Sequence, residues 1–230
     1  MAVFMFGRSK PFSAEGNFSE NTWAEIIKAC QLNKVPDTWL VGDNKLMKIN
    51  GMDYQVDIIG KNHDTYSDGT GKAPLTLQLH GYYDTAFYRM NDTLTNTGGW
   101  RDSAMRSTHL PAILAQMPEA VISGIRQVNK MTSEGNLSKT IITTADTLFL
   151  LAEIEVLGVK TFSNAGEGTQ YAYYKEGNST VKTMELSSRE WFTRSPVYNS
   201  QYNFATITER GETGAEGANY PLAVSFAFCF

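Results

Sequence analysis

Residues 195–230 read SPVYNSQYNFATITERGETGAEGANYPLAVSFAFCF, and the two halves of this stretch pull in different directions. The first part is dense in Asn, Tyr, Ser, Gly and Thr. The last part, Val224 to Phe230, is almost wholly apolar. A disordered tail lacks the apolar content to end in Phe-Ala-Phe-Cys-Phe. A plain core strand is not preceded by so many small polar residues. The combination predicts a displayed surface pinned at its far end by a buried strand. Tyr offers large contact area at low entropic cost, and Asn, Ser and Gly adapt their hydrogen bonds, which is the chemistry of a binding face. Trp191, Phe204, Phe226 and Phe228 would form its rigid base.

The rest of the composition suits such a protein. The chain has 230 residues, 42% of them hydrophobic and 12% aromatic, which is ample for a buried core. Charged residues make up 19%, below the ~25% typical of globular domains. Asn, Thr, Ser and Gly take up the difference, a balance common in extracellular or particle-borne β-rich proteins. The net charge is −4 and no basic run occurs, so nucleic acid is not an expected partner. No stretch approaches the ~20 apolar residues of a membrane span, and the start, MAVFMFGRSKPF, does not read as a signal peptide. A protein that reaches the exterior by cell lysis would need none. Cys30 and Cys229 read as buried thiols, although one bridge between them is open.

Along the chain, residues 1–18 read as an extended arm carrying Val3, Phe4, Phe6 and Phe12, and residues 19–230 as one domain. FSENTWAEIIKACQLNK (18–34) reads as a helix, with Trp23, Ile26, Ile27 and Cys30 on one face. Ser19 or Asn21 can cap it, and Glu25 can form a capping box with Thr22. WLVGDNKLMKINGMDYQVDIIG (39–60) reads as two strands around Asn50-Gly51, a type I′ hairpin signal. LTLQLH (75–80) fits strand or helix. The segment from Asn96 is helical at first, divided by Pro111 and Pro118. Strands follow in GIRQVNKMTS, KTIITT and DTLFLLAEIEVLG, with LFLL as a central strand and AEIEVLG opening a short helix. EWFTRSP, NFATITERG and LAVSFAFCF read as further strands. The fold class is therefore α+β, with two early helices and a loop-rich, β-rich C-terminal half.

A search for catalytic chemistry finds little. His63, His80 and His109 lack a His or Cys at metal-ligand spacing. Asp64 and Asp68 lie in a polar loop that meets little of the EF-hand pattern, and they read as solvated. GTGKAP lacks the spacing of a phosphate loop, and no nucleophile elbow occurs. Glu153 and Glu155 read as a solvent face or as partners of Arg194 rather than a glycosidase pair. No enzyme, cofactor or metal site is expected.

Several segments together resemble a known family. GGWRDSAMR (98–106), LPAILAQMP (110–118), DTLFLLAEIEVLG (146–158), YYKEG (173–177), EWFTRSP (190–196) and the terminal LAVSFAFCF are similar to the DUF6273 domain, across roughly residues 38–230. The family pattern runs from Gly-Gly-Trp and Leu-Pro to DKLFLLS, WWLRSP and a closing GVxFxF strand. Here Trp191-Phe192-Thr193-Arg194 stands for WWLR, and Leu222-Ala223 stands where the closing glycine is usual.

The resemblance implies a C-type-lectin-like, formylglycine-generating-enzyme-like fold. It also implies a setting in phage or prophage structural proteins, some of which are diversified by retroelements in their C-terminal ligand-binding region. On that footing the chain is expected to be a virion adhesin on a tail or head fibre, exposed on the particle. It would bind a host-surface glycan or protein through Tyr198, Asn199, Gln201, Tyr202, Asn203, Glu209, Arg210, Asn219 and Tyr220. Other virion proteins and sister copies in a homo-oligomer are the further expected partners. Trp100, Arg106, Trp191, Arg194, Phe226 and Phe228 are expected to be structural, with Arg194 paired to Glu153 or Glu155. The alternative is a decoration or baseplate protein that binds no receptor and uses the N-terminal arm as its interface. The tail lacks a calcium-ligand set of the Glu-Pro-Asn type, so calcium is not expected either.

Overall fold

The computed structural model describes residues 12–230, and for Thr85 the backbone only. Most of the arm predicted over 1–18 lies outside the described residues. Of its remainder, Phe12 packs on the core and Phe18 is buried.

Helix α1 (Trp23–Gln31) starts at Thr22, whose hydroxyl accepts the Glu25 N–H while the Glu25 carboxylate takes the Thr22 N–H. This capping box satisfies two of the N–H groups that a helix start leaves open. Strands β1 (Asn44–Ile49) and β2 (Met52–Lys61) pair antiparallel around Asn50-Gly51. The two turn residues have φ of 49° and 80°, as a type I′ turn requires. LTLQL proves to be strand β3 (Leu75–Leu79), with all five residues buried. Strand β4 (Tyr83–Tyr88) follows in a stretch that gave no sequence signal.

A single π-helical turn, Met105–His109, leads into α2 (Leu110–Leu114). Pro111 sits in the first turn of α2, where its missing N–H costs nothing, and Pro118 starts α3 (Glu119–Ile122). Strands β5 (Val128–Ser133) and β6 (Ile141–Asp146) form a separate hairpin. Helices α4 (Glu153–Leu157) and α5 (Ala172–Lys175) are short, and Gly158 caps α4 in the left-handed region.

Strand β7 (Leu148–Phe149) corrects one expectation. LFLL is not a central strand: only two residues pair, at the edge of the first sheet. The Leu150 carbonyl is taken by the Arg194 guanidinium and the Leu151 carbonyl by the Arg194 N–H, so the ladder cannot continue.

The remaining strands are β8 (Lys182–Met184), β9 (Ser187–Arg189), β10 (Trp191–Pro196), β11 (Asn203–Ile207), β12 (Thr213–Gly217), β13 (Leu222–Val224) and β14 (Ala227–Cys229). They complete two five-stranded sheets, β1-β2-β3-β14-β7 and β12-β11-β10-β13-β4, beside the β5–β6 and β8–β9 hairpins. The fold is thus mixed α+β and rich in strands.

The terminal apolar run is not one strand but two. β13 lies between β10 and β4 in the second sheet, and β14 lies between β3 and β7 in the first. The chain crosses between sheets at Ser225 and Phe226, where the Phe226 carbonyl accepts the Leu79 N–H and the Ser225 hydroxyl donates to the Leu79 carbonyl. Residues 223–229 are fully buried, because each short strand is flanked on both sides. One contiguous core draws on both sheets. Cys30 and Cys229 are buried free thiols, and burial pushes the Cys30 thiol up to about 12. Among the described residues, no helix is long and apolar enough to cross a membrane.

Candidate functional site

The second sheet carries the predicted display region. All six residues of β10 are buried, and β11 follows with four of its five residues buried. The connection between them, residues 197–202, is the exposed element. Tyr198 is 45% and Tyr202 52% exposed, and Asn199 and Gln201 are exposed beside them. From Ser195 to Thr208 the chain has no charged residue.

This connection is exposed at its side chains and held at its backbone. The Tyr198 N–H donates to the Phe162 carbonyl, and the Ser200 hydroxyl accepts the N–H groups of Tyr202 and Asn203. Asn96 is fully buried and holds the loop from beneath. Its amide donates to the Ser200 carbonyl at 2.9 Å and to the Asn203 carbonyl at 2.8 Å. Its N–H donates to the Gln201 carbonyl, and its side-chain oxygen accepts the Asn136 N–H at 2.8 Å. Asn96 therefore couples three loops. It sits in a polar stretch without periodicity, so no sequence signal marked it.

The nine residues predicted to bind do not form one patch. Tyr198, Asn199, Gln201, Tyr202 and Asn203 cluster at the β10–β11 connection. Asn219 joins them, because the Ala218 N–H donates to the Tyr202 carbonyl. Glu209 and Arg210 lie in the β11–β12 turn, at the opposite end by register, since Trp191 faces Ile207 and Pro196 faces Phe204. Tyr220, 54% exposed, lines the same open cavity as Glu209.

Trp100, Trp191, Arg194, Phe226 and Phe228 are fully buried. The Trp100 indole donates to Asp146, which also pairs with Arg106, and the Trp191 indole donates to the Thr180 carbonyl.

Beneath the sheet lies a fully buried charge network. Arg194 donates to both Glu155 oxygens, at 2.5 and 3.0 Å, and to the carbonyls of Met131, Leu150 and Glu167. Lys130 bridges Glu155 at 2.8 Å and Asp64 at 2.7 Å. Asp64 also accepts from Thr76 and Tyr171. Asp64 was expected to be solvated; instead it turns inward, and of the two aspartates Asp68 alone is exposed, paired with Arg126. Burial alone would raise the Asp64 carboxyl, but the Lys130 ammonium and the hydrogen bonds outweigh it and hold it at about 2. Burial likewise opposes the charged forms of Lys130 and Glu155, and their opposite charges win in both cases.

Of the two carboxylates read as partners of Arg194, Glu155 is the partner and Glu153 is not. Glu153 is also not solvent-facing. It is buried and accepts from the Phe162 and Ser163 N–H groups and from the Ser163 and Thr213 hydroxyls. Glu167 is fully buried, with one oxygen on the Ser133 N–H and the other without a hydrogen-bond partner. Burial pushes its carboxyl up to about 7. Arg194 and Lys130 then balance Asp64 and Glu155, and a protonated Glu167 keeps the network neutral.

A cavity of about 150 Å³ reaches this network past His63 and Thr169. The Asp64 and Glu155 oxygens on its floor are already taken up by protein donors, so the cluster reads as structural. Among the described residues, no group of three His, Cys, Asp or Glu could hold a metal ion. One signal for the network was available: strict alternation in β5 puts Lys130 on the same face as the buried Val128 and Thr132.

The family model described as a domain of unknown function (DUF6273) matches residues 77–229, so the chain belongs to this family. The match starts inside β3 and runs into β14. It leaves out α1, β1 and β2, and is shorter than the 38–230 span the motifs suggested. No curated protein and no solved structure matches the chain.

Proposed function

We propose that the chain is a bacteriophage virion protein whose domain, C-type-lectin-like in fold, binds a host-surface glycan or protein. The observation that carries this reading is the β10–β11 connection. It is an uncharged, tyrosine-flanked Asn/Gln surface standing on a rigid buried base. Such a surface loses little entropy on binding, because its backbone is already ordered. The residues that hold it, Asn96 and the β10 core, are buried, so exposed positions can change without unfolding the sheet. That fits a diversified region.

The test is binding of the labelled full chain to intact candidate host bacteria. It is run beside Tyr198→Ala/Tyr202→Ala and, separately, Tyr220→Ala, each shown folded by circular dichroism. Loss with the double variant and retention with Tyr220→Ala are expected. Equal binding by parent and double variant, or attachment to particles with no cell binding, would overturn the reading. The second outcome would favour the decoration or baseplate alternative.

A further inference from the structure

The β8–β9 hairpin stands beside a long groove. Three open cavities of about 700, 230 and 300 Å³ adjoin along it. The first two share Phe87 and Arg189 as walls, and the second and third share Tyr82 and Met184. The hairpin is held close at the middle of β8, where a Cβ on Gly81 would lie 2.0 Å from the Thr183 carbonyl oxygen. An open cavity lies between its Met184 and Glu185 and the Tyr82 and Phe87 side chains at β4. Among the described residues, no strand pairs with β4 on its side away from β13.

The walls are apolar and exposed. Leu186 at the hairpin tip is 103% exposed, and Phe87 and Tyr220 are about half exposed. Large apolar side chains exposed together along one groove point to an interaction site. The rim is acidic. Glu185, Glu190 and Glu209 line the groove against one cation, Arg189, which lies over the Phe87 ring. None of the three acids has an ion-pair partner among the described residues. Burial raises the Glu190 carboxyl, the Thr206 hydroxyl that donates to it lowers it, and the neighbouring charges of Glu216 and Glu209 raise it again, so negative charge gathers on this side of the groove.

We propose that this groove receives residues 3–10 of a second copy of the chain. Those residues read VFMFGRSK: four apolar side chains to meet Phe87, Leu186 and Tyr220, then Arg8 and Lys10 to meet the acidic rim, with no acid among them. They lie outside the described residues. The described chain begins at Phe12, which rests under the Lys28 ammonium near the end of α1. Helix α1 stands beside β1, the outer strand of the first sheet, while the groove runs from β4, at the edge of the second sheet, to the Met52–Gln55 end of β2. An extended segment of this length spans about 27 Å, enough to reach into a neighbour. Mutual exchange of two such segments fills two grooves at once and closes a two-fold dimer.

Sedimentation of the full chain over a range of concentrations tests this. A dimer is expected. Glu185→Lys/Glu209→Lys and Arg8→Glu/Lys10→Glu should each weaken it at least about tenfold, since two exposed ion pairs are lost in each of the two grooves. The four changes combined should restore it, which a merely misfolded variant cannot do. Phe4→Asp/Phe6→Asp should give a monomer. Three results would overturn the proposal: a monomeric parent (a segment seated in its own groove included), a dimer indifferent to either charge reversal, or reversals that weaken separately but fail to restore together.

Discussion

Replacing Arg194 by Met removes the centre of the buried network while keeping most of the side-chain volume. Six hydrogen bonds disappear. The carbonyls of Met131, Leu150 and Glu167 lose a donor, and Glu155 is left with Lys130 as its one cation. Deleting one member of a buried ion pair costs about 3–5 kcal/mol, chiefly because the partner charge stays buried. A domain is typically stable by about 5–15 kcal/mol, so this is a large fraction of the whole. With a urea slope of about 3 kcal/mol/M, a loss of ~4 kcal/mol lowers the midpoint by ~1.3 M. The melting temperature should fall by about 8–16 °C. Arg194→Lys keeps the charge but cannot fork onto both Glu155 oxygens, and should fall between parent and Met variant. The assay is urea unfolding followed by tryptophan fluorescence at pH 7. A midpoint drop under about 0.3 M, less than ~1 kcal/mol, would refute the reasoning. It would mean that water or rearrangement replaces the guanidinium, and that the core does not depend on it. The double change Glu155→Leu/Arg194→Met should cost less than the sum of the singles, since the stranded charge goes with its partner.

Glu167 predicts a pH dependence. Folded, it keeps its proton up to about pH 7, against an ordinary 4.5, so the folded state holds more protons between those values. Its contribution is complete below pH 4.5 and is lost as pH rises through 7, about 3 kcal/mol at most. Glu167→Gln should match the parent at pH 4.5 and exceed it at pH 8.5 by urea midpoint; equal midpoints at both would sink the assignment. Asn96→Ala removes two amide bonds to the Ser200 and Asn203 carbonyls and one acceptor for Asn136. It should cost about 2–3 kcal/mol and speed amide exchange in residues 197–203 ahead of the rest of the sheet; uniform exchange would show that Asn96 does not hold the loop.

The elements that sequence reading located are those where local chemistry and tertiary position agree. Thr22 with Glu25, and Asn50 with Gly51, each specify a backbone geometry that needs no distant partner. The buried ending was legible because seven apolar or small residues in succession have nowhere else to go. Its division into two strands was not. Ser225, in mid-run, looks like an ordinary outward position of one alternating strand. In the structure it is the crossing point, and its hydroxyl is satisfied by the Leu79 carbonyl in the other sheet. Such a partner, 146 residues away, leaves no local trace.

The same argument explains the site. Exposure of Tyr198 and Tyr202 follows from their polar neighbours, so that patch could be anticipated. Where Glu209 and Tyr220 go is decided by sheet order. The parallel pairing of β13 with β10 forces the chain to travel back along the sheet after Gly217, which carries Tyr220 away from Tyr202 and toward the β8–β9 hairpin. A continuous run of display-like residues thus becomes two surfaces facing different neighbours. One is uncharged and is the surface proposed to meet an external ligand. The other is acidic and apolar, and the chain's own basic, apolar beginning fits it. On this view receptor binding and self-association are separable, because no residue serves both. Tyr198→Ala/Tyr202→Ala should leave the sedimentation behaviour of the parent unchanged, and Glu185→Lys/Glu209→Lys should leave its cell binding per protomer unchanged. Loss of both properties by either variant would show that the two surfaces are one.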